Sequence, residues 1–291
     1  MKVGFSKLLP VMAAVSLSWG LMANSAQAGR IVLTGHDSDF HQSTAARTAV
    51  TGMFSFLAGD PSAPSSALPV LVFDHGTQAS SLLTSLGIAN TRVDPNLGVP
   101  AASLFNTSTF RAIVVASDFR CGGCDNDDTS STNLAAAKTS FASFFNAGGG
   151  IIAFAGATNA NYYAFVPETA ASFGSPPSSG FYQTAEGAAV GITAQNGDAT
   201  HNFFREPGTF GTSALWQVAE RNTLGTASTA DDPAETIFLG AGTIVCTVDC
   251  VIVGPGPGGT GSIPEPATLA LAGLALAGLA TARRKQRKLS S

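Results

Sequence analysis

Charge is scarce in this chain. Only 12% of its 291 residues are Asp, Glu, Lys or Arg, against a usual share of about 25%. The basic residues are also unevenly placed, with seven of fifteen (Lys2, Lys7, Arg283, Arg284, Lys285, Arg287 and Lys288) at the two ends. Setting those aside leaves eight basic residues against nineteen acids, so a formal net charge of −4 becomes −11 for the remainder. A nucleic-acid partner needs a basic footprint, and none is present. Cysteine is sparse too: four residues exclude a disulfide-dense scaffold. There is no HExxH zinc motif and no internal repeat.

The ends carry the most explicit signals. Lys2 and Lys7 precede a largely apolar stretch over 8–22, and Ala26-Gln27-Ala28 supplies a small-x-small site. These are the ordered parts of a secretory signal peptide over 1–28, which implies signal peptidase and Sec-type export. At the other end, Pro264-Glu265-Pro266 is followed by a stretch over 267–282 that is nearly all Ala, Leu and Gly, and then by the basic cluster Arg283, Arg284, Lys285, Arg287 and Lys288. Sixteen residues of helix reach about 24 Å, short of the ~30 Å hydrocarbon core, so this helix spans only with help from its flanks. The basic cluster stays cytoplasmic and places the body outside. Gly254 to Gly261 reads as a flexible linker, which gives a body over 29–252, a linker over 253–262 and a tail over 263–291.

Pro264-Glu265-Pro266, the apolar helix and the basic end together resemble the PEP-CTERM sorting signal of Gram-negative bacteria. The resemblance covers about residues 261–288, with Ile263 where Val is commoner. It implies recognition by an exosortase and a precursor tethered in the inner membrane. It further implies delivery to the cell surface or extracellular matrix, with exopolysaccharide as an associated partner.

Export changes how the cysteines read. Cys121/Cys124 and Cys246/Cys250 form two close pairs. Outside the cytoplasm disulfides are the default, and two local bridges are the simplest of three pairings. A four-cysteine zinc site is the alternative.

The body alternates short apolar runs with helical patterns. Residues 30–34, 70–73, 111–116 and 151–154 read as buried strands; 44–57, 78–86 and 132–147 read as helices. Continuous apolar strands between helices predict an α/β fold: a three-layer, doubly wound, mostly parallel sheet of the flavodoxin or amidotransferase type. Beyond residue 166 the pattern weakens, and 188–193, 214–219 and 236–239 look like strands of the same sheet or of a small appendage.

Residues 30–36, 111–118 and 144–157 resemble class I glutamine-amidotransferase-like domains, including the ThuA-like branch. In that fold the last segment leads into the nucleophile elbow. Here the elbow reads Phe154-Ala155-Gly156-Ala157-Thr158, without cysteine or serine, so the resemblance implies the scaffold and not the chemistry. No catalytic residue is assigned, and no cofactor is expected. The other reading is a metal-assisted hydrolase in which His36, Asp37, His41 and His75 hold a divalent ion at the sheet edge. His201 and Glu206 lie on a later loop that could return there.

Overall fold

The computed structural model describes residues 28–123, 125–168, 170–172, 177–208, 213–223 and 232–254, all within one unit, Met1–Gly254. The signal segment up to residue 27 and the chain from 255 on, which holds most of the linker and the apolar helix over 267–282, lie outside the described residues. Among the described residues no helix is long and apolar enough to cross a membrane.

Four runs of apolar residues form the buried strands β1 (Ile31–Thr34), β2 (Val70–Phe73), β4 (Ala112–Val115) and β5 (Gly150–Ala153). They are joined by helices α1 (Ser38–His41), α2 (Thr44–Ala58), α3 (Gln78–Ser85), α4 (Asp128–Ala136) and α5 (Lys138–Asn146). Side chains alternate between faces along each strand, so each run feeds two cores. Ile31, Leu33, Ile113, Val115 and Ile151 pack with Leu134, Phe141 and Phe145 of α4 and α5. Val32, Val72, Val114 and Ile152 pack with Val50 and Met53 of α2 and with Leu82 and Leu83 of α3. Helices therefore cover both faces, which is why these strands are apolar throughout rather than alternating.

β3 (Asn90–Val93) is polar and half-exposed, as its place at the sheet edge allows. The order is β3-β2-β4-β5-β1, all parallel, continuing into antiparallel β10 (Ala234–Leu239), β8 (Asn202–Phe204) and β6 (Ala170–Ser172). β9 (Gln217–Asn222) also pairs with β10, and β7 (Phe181–Gln183) pairs with β9. The strands from β6 to β10 thus extend the main sheet. Counted from β2, the parallel half begins like the flavodoxin order 2-1-3-4-5. Its fifth place, however, is taken by β1 from the start of the body, so the fold is mixed α/β rather than a simple doubly wound sheet.

Two local expectations are corrected. The helix expected over 132–147 begins earlier, where the Asp127 side chain accepts from Ser130 N, and it divides at Ala137 into α4 and α5. The strand expected over 188–193 is helix α6 (Ala185–Val190). Thr184 caps its start by accepting from Gly187 N, and left-handed Gly191 ends it.

The last described element is a separate hairpin of β11 (Thr243–Cys246) and β12 (Cys250–Val253), closed by the Cys246–Cys250 disulfide. It docks on α5 through Asn146, whose side chain donates to Ile244 O (2.8 Å) and accepts from Ile244 N (2.9 Å). Joined in this bridge, Cys246 and Cys250 are not free thiolates for a metal. Cys121 is described, whereas Cys124 lies outside the described residues, so the second expected bridge is left there.

Candidate functional site at the carboxyl edge of the sheet

The parallel strands all point toward one edge, and the turns leaving β1, β2 and β4 bring acids there. Gly35 follows β1 and lets another segment cross closely: a β-carbon on it would lie 1.9 Å from Asn202 O. In that contact His36 bridges to Thr200, and His201 N donates to Gly35 O (2.7 Å). The loop over 195–201 is thereby laid across the start of α1.

Four polar side chains converge as a result. Asp37 immediately precedes α1 and His41 ends it, one helical turn apart on one face. His41 Nδ1 lies 3.0 Å from Asp37 Oδ1 and 3.1 Å from Asp198 Oδ1. On the other side of Asp37, His201 Nε2 lies 3.1 Å from Oδ2. Asp37 and Asp198 are fully buried, and the His41 side chain is 37% exposed, forming the mouth. Among the described residues, Asp37, His41 and Asp198 form the one group whose donor atoms are close enough together to share a metal ion.

Beneath them His36 is fully buried. Its Nε2 is 3.2 Å from Glu220 Oε2, and its Nδ1 is 3.9 Å from Asp198 Oδ2. Burial by itself lowers its pKa, but the charge and hydrogen bond of Glu220, with Asp198 and Glu235, raise it to about 9. With Nε2 turned to Glu220 and Nδ1 toward Asp198 Oδ2, His36 stands behind Asp198 rather than among the groups at the mouth. Glu220 is held by Gln195 N (2.6 Å) and Thr236 Oγ1 (2.8 Å). Burial pushes Glu235 up to about 8 against the opposing pull of His36 and a hydrogen bond from Thr200. Burial also raises Asp198, again against His36.

Of the four residues expected to share an ion, the structure unites Asp37 and His41 and keeps His36 behind them. His75 belongs to a different cluster at the ends of β2 and β3. Its Nδ1 is 3.0 Å from Asp94 Oδ1, and Asn96 Nδ2 donates to Asp127 Oδ2 (2.9 Å) beside it. Next to it, Asp74 is buried against Asp125. Desolvation and that neighbouring carboxyl push Asp74 up to about 7. Between the clusters, Asp39 accepts from Ser117 N (2.8 Å) and Ser117 Oγ; burial raises it to about 8 in spite of both bonds. Glu206 pairs with Arg221 (2.8 Å) and takes no part in the convergence.

Asp198, Glu220 and Glu235 were not singled out from the sequence. A signal exists for Glu235, an acid inside the largely apolar run AETIFL that must be satisfied by partners in the core; QVAERN, around Glu220, is mostly polar and carries none.

The segment expected to form a nucleophile elbow, 154–158, follows β5. Ala157 adopts φ 46°, one of two non-glycine residues with positive φ among those described. It presents a methyl group, packed with Ala155 and Cys121. A side chain that cannot attack a carbonyl occupies the strained position.

Among curated proteins no match was found. One solved structure matches, that of IMPa metallopeptidase in complex with T-antigen, at 18% identity and a TM-score of 0.30. The match covers 47% of this chain and 15% of that one. Residues 262–285 match the model of the PEP-CTERM protein-sorting motif. The chain thus carries at its C-terminal end the sorting motif of an exported protein handled by an exosortase.

Proposed function

We propose that this chain is a cell-surface or extracellular-matrix protein whose acidic body is displayed after the exosortase has acted on its tail, and that the body does not perform acyl transfer. The sorting motif at 262–285 supports the destination. Ala157, at the strained turn where an amidotransferase-like scaffold would present its nucleophile, supports the absence of that chemistry. In this reading the signal segment over 1–28 engages the export machinery, the segment over 267–282 tethers the precursor, and Arg283 to Lys288 hold its end on the cytoplasmic side. Exopolysaccharide is the expected neighbour of the displayed body.

The test is localisation of the unaltered chain beside a P264A/E265A/P266A variant, in cells with and without the exosortase. The unaltered protein should reach the surface or medium in shortened form, while the variant accumulates in the membrane fraction. Identical size and location in all four samples would sink the reading.

A metal-assisted hydrolase is the second reading, favoured by the convergence of Asp37, His41 and Asp198 at the sheet edge. Hydrolysis would need an ion there and an open coordination position for water. Loss of any hydrolytic activity in an H41A variant, with export unchanged, is what this reading requires.

A further inference from the structure

We propose that Asp37 Oδ1, His41 Nδ1 and Asp198 Oδ1 form a binding site for one divalent transition-metal ion of the zinc type, with His201 and His36 as positioning residues behind the two carboxylates. The inference concerns ion binding alone. It stands apart from where the protein is sorted and from whether the body catalyses anything.

Hydrogen-bond arithmetic is the first support. His41 Nδ1 lies 3.0 Å from one fully buried carboxylate and 3.1 Å from another. A ring nitrogen carries at most one proton, so it can satisfy only one of them well at a time. An ion in the proton's place meets all three donors at once. Carboxylates this deeply buried are normally paired or bound to metal.

The spacing agrees. Metal–ligand bonds of ~2.1 Å place neighbouring ligands about 3.0 Å apart in an octahedron and about 3.4 Å apart in a tetrahedron. The two edges through His41 measure 3.0 and 3.1 Å, and all three donor atoms lie within 4.8 Å of one another.

Behind the three donor atoms, two buried polar groups lack an aligned hydrogen bond. Asp198 Oδ2 is buried and accepts no hydrogen bond, with His36 Nδ1 3.9 Å away. His201 Nε2 is 3.1 Å from Asp37 Oδ2 yet is not aligned for a hydrogen bond. Groups this close without hydrogen-bond alignment fit a carboxylate whose favoured direction is toward an ion.

The donor set decides the class of ion. One imidazole with two carboxylates suits zinc, cobalt or manganese; calcium and magnesium prefer oxygen alone. Three protein ligands leave a position for water on the side where His41 is exposed.

The experiment titrates the full chain, stripped with EDTA, with Zn2+ or Co2+ by calorimetry and visible spectroscopy. One ion per chain is expected, with a cobalt d–d band and no thiolate charge-transfer band. H41A alters a partly exposed side chain and should fold; circular dichroism checks this. It should weaken binding at least 100-fold, and H201Q about 10–100-fold, the usual range for a partner behind a ligand. H75A, in the separate cluster, should bind like the unaltered chain. Absence of stoichiometric binding, H41A binding as tightly as the unaltered chain, a thiolate band, or Ca2+ binding as tightly as Zn2+ would each overturn the proposal.

Discussion

Gly35 and Asn202 are in backbone contact so close that no other residue fits at position 35: an added β-carbon would stand 1.9 Å from Asn202 O and 2.6 Å from Thr200 Oγ1. This contact joins the exit of β1 to the segment that delivers Asp198 and His201. G35A should therefore force the strands apart. Overpacking of this kind typically costs about 1–3 kcal/mol or more, equivalent to some 3–10 °C in Tm for a body of this size. Thermal unfolding of the variant measures it, and an unchanged Tm would show that the crossing is loose.

Ala157 invites the opposite change. An L-residue in the left-handed region costs roughly 1–2 kcal/mol, and glycine does not carry that penalty. Glycine does add freedom to the unfolded chain. A157G should leave the fold intact and raise stability by up to about 1 kcal/mol, read from urea unfolding. A destabilised variant would mean that the methyl group's packing against Cys121 outweighs the strain.

Asp74 gives a pH signature. Its folded pKa of about 7 stands above the ordinary value of 3.8. Between those limits the folded chain holds a proton that the unfolded chain has lost, so stability falls as pH rises from about 4 to 7. In D74N the amide can still accept from Ser80 N, as Asp74 Oδ2 does at 3.0 Å, and donate to Asp125. The slope of stability against pH should then shrink by about one proton, or ~1.4 kcal/mol per pH unit. Asp39 and Glu235 are raised in the same sense and keep part of the slope. Urea midpoints measured from pH 4 to 8 would reveal the difference, and parallel curves for the two proteins would refute it.

The terminal hairpin depends more on Asn146 than its disulfide suggests. Cys246–Cys250 closes a very short loop, worth about 2 kcal/mol at most by chain entropy. Asn146 satisfies both backbone groups of Ile244. N146A should detach the hairpin from α5 while leaving the bridge intact. Hydrogen exchange should show faster amide exchange over 243–253, with the central sheet unaffected. Protection equal to the unaltered chain's would contradict this.

Much of this architecture is legible in short runs of sequence. IVLT, VLVF, AIVV and GIIA announce strands buried on both faces, and the helices that cover them follow from spacing. β3, with NTRV, carries no such signal because an edge strand can face water. The stretch 188–193 reads as a strand from its apolar residues alone; the cap at Thr184 and the stop at Gly191 make 185–190 a helix instead. The candidate site was half visible. Asp37 and His41 lie in one loop, but Asp198 is 157 residues beyond His41 and is brought in by the antiparallel part of the sheet, which local patterning does not encode. His75 shares a loop type with His36 but exits a strand three places away, where Asp94 claims it.

The position of β1 has a consequence for the order of events during biogenesis. It is the first strand of the body to be made, yet its neighbours are β5 and β10, with Ile31 opposite Ile151 on one side and Leu239 on the other. Pairings so distant in sequence form slowly. The middle of the sheet stays open until nearly the whole body has arrived. In this body the first strand of the sheet has to wait for one of the last.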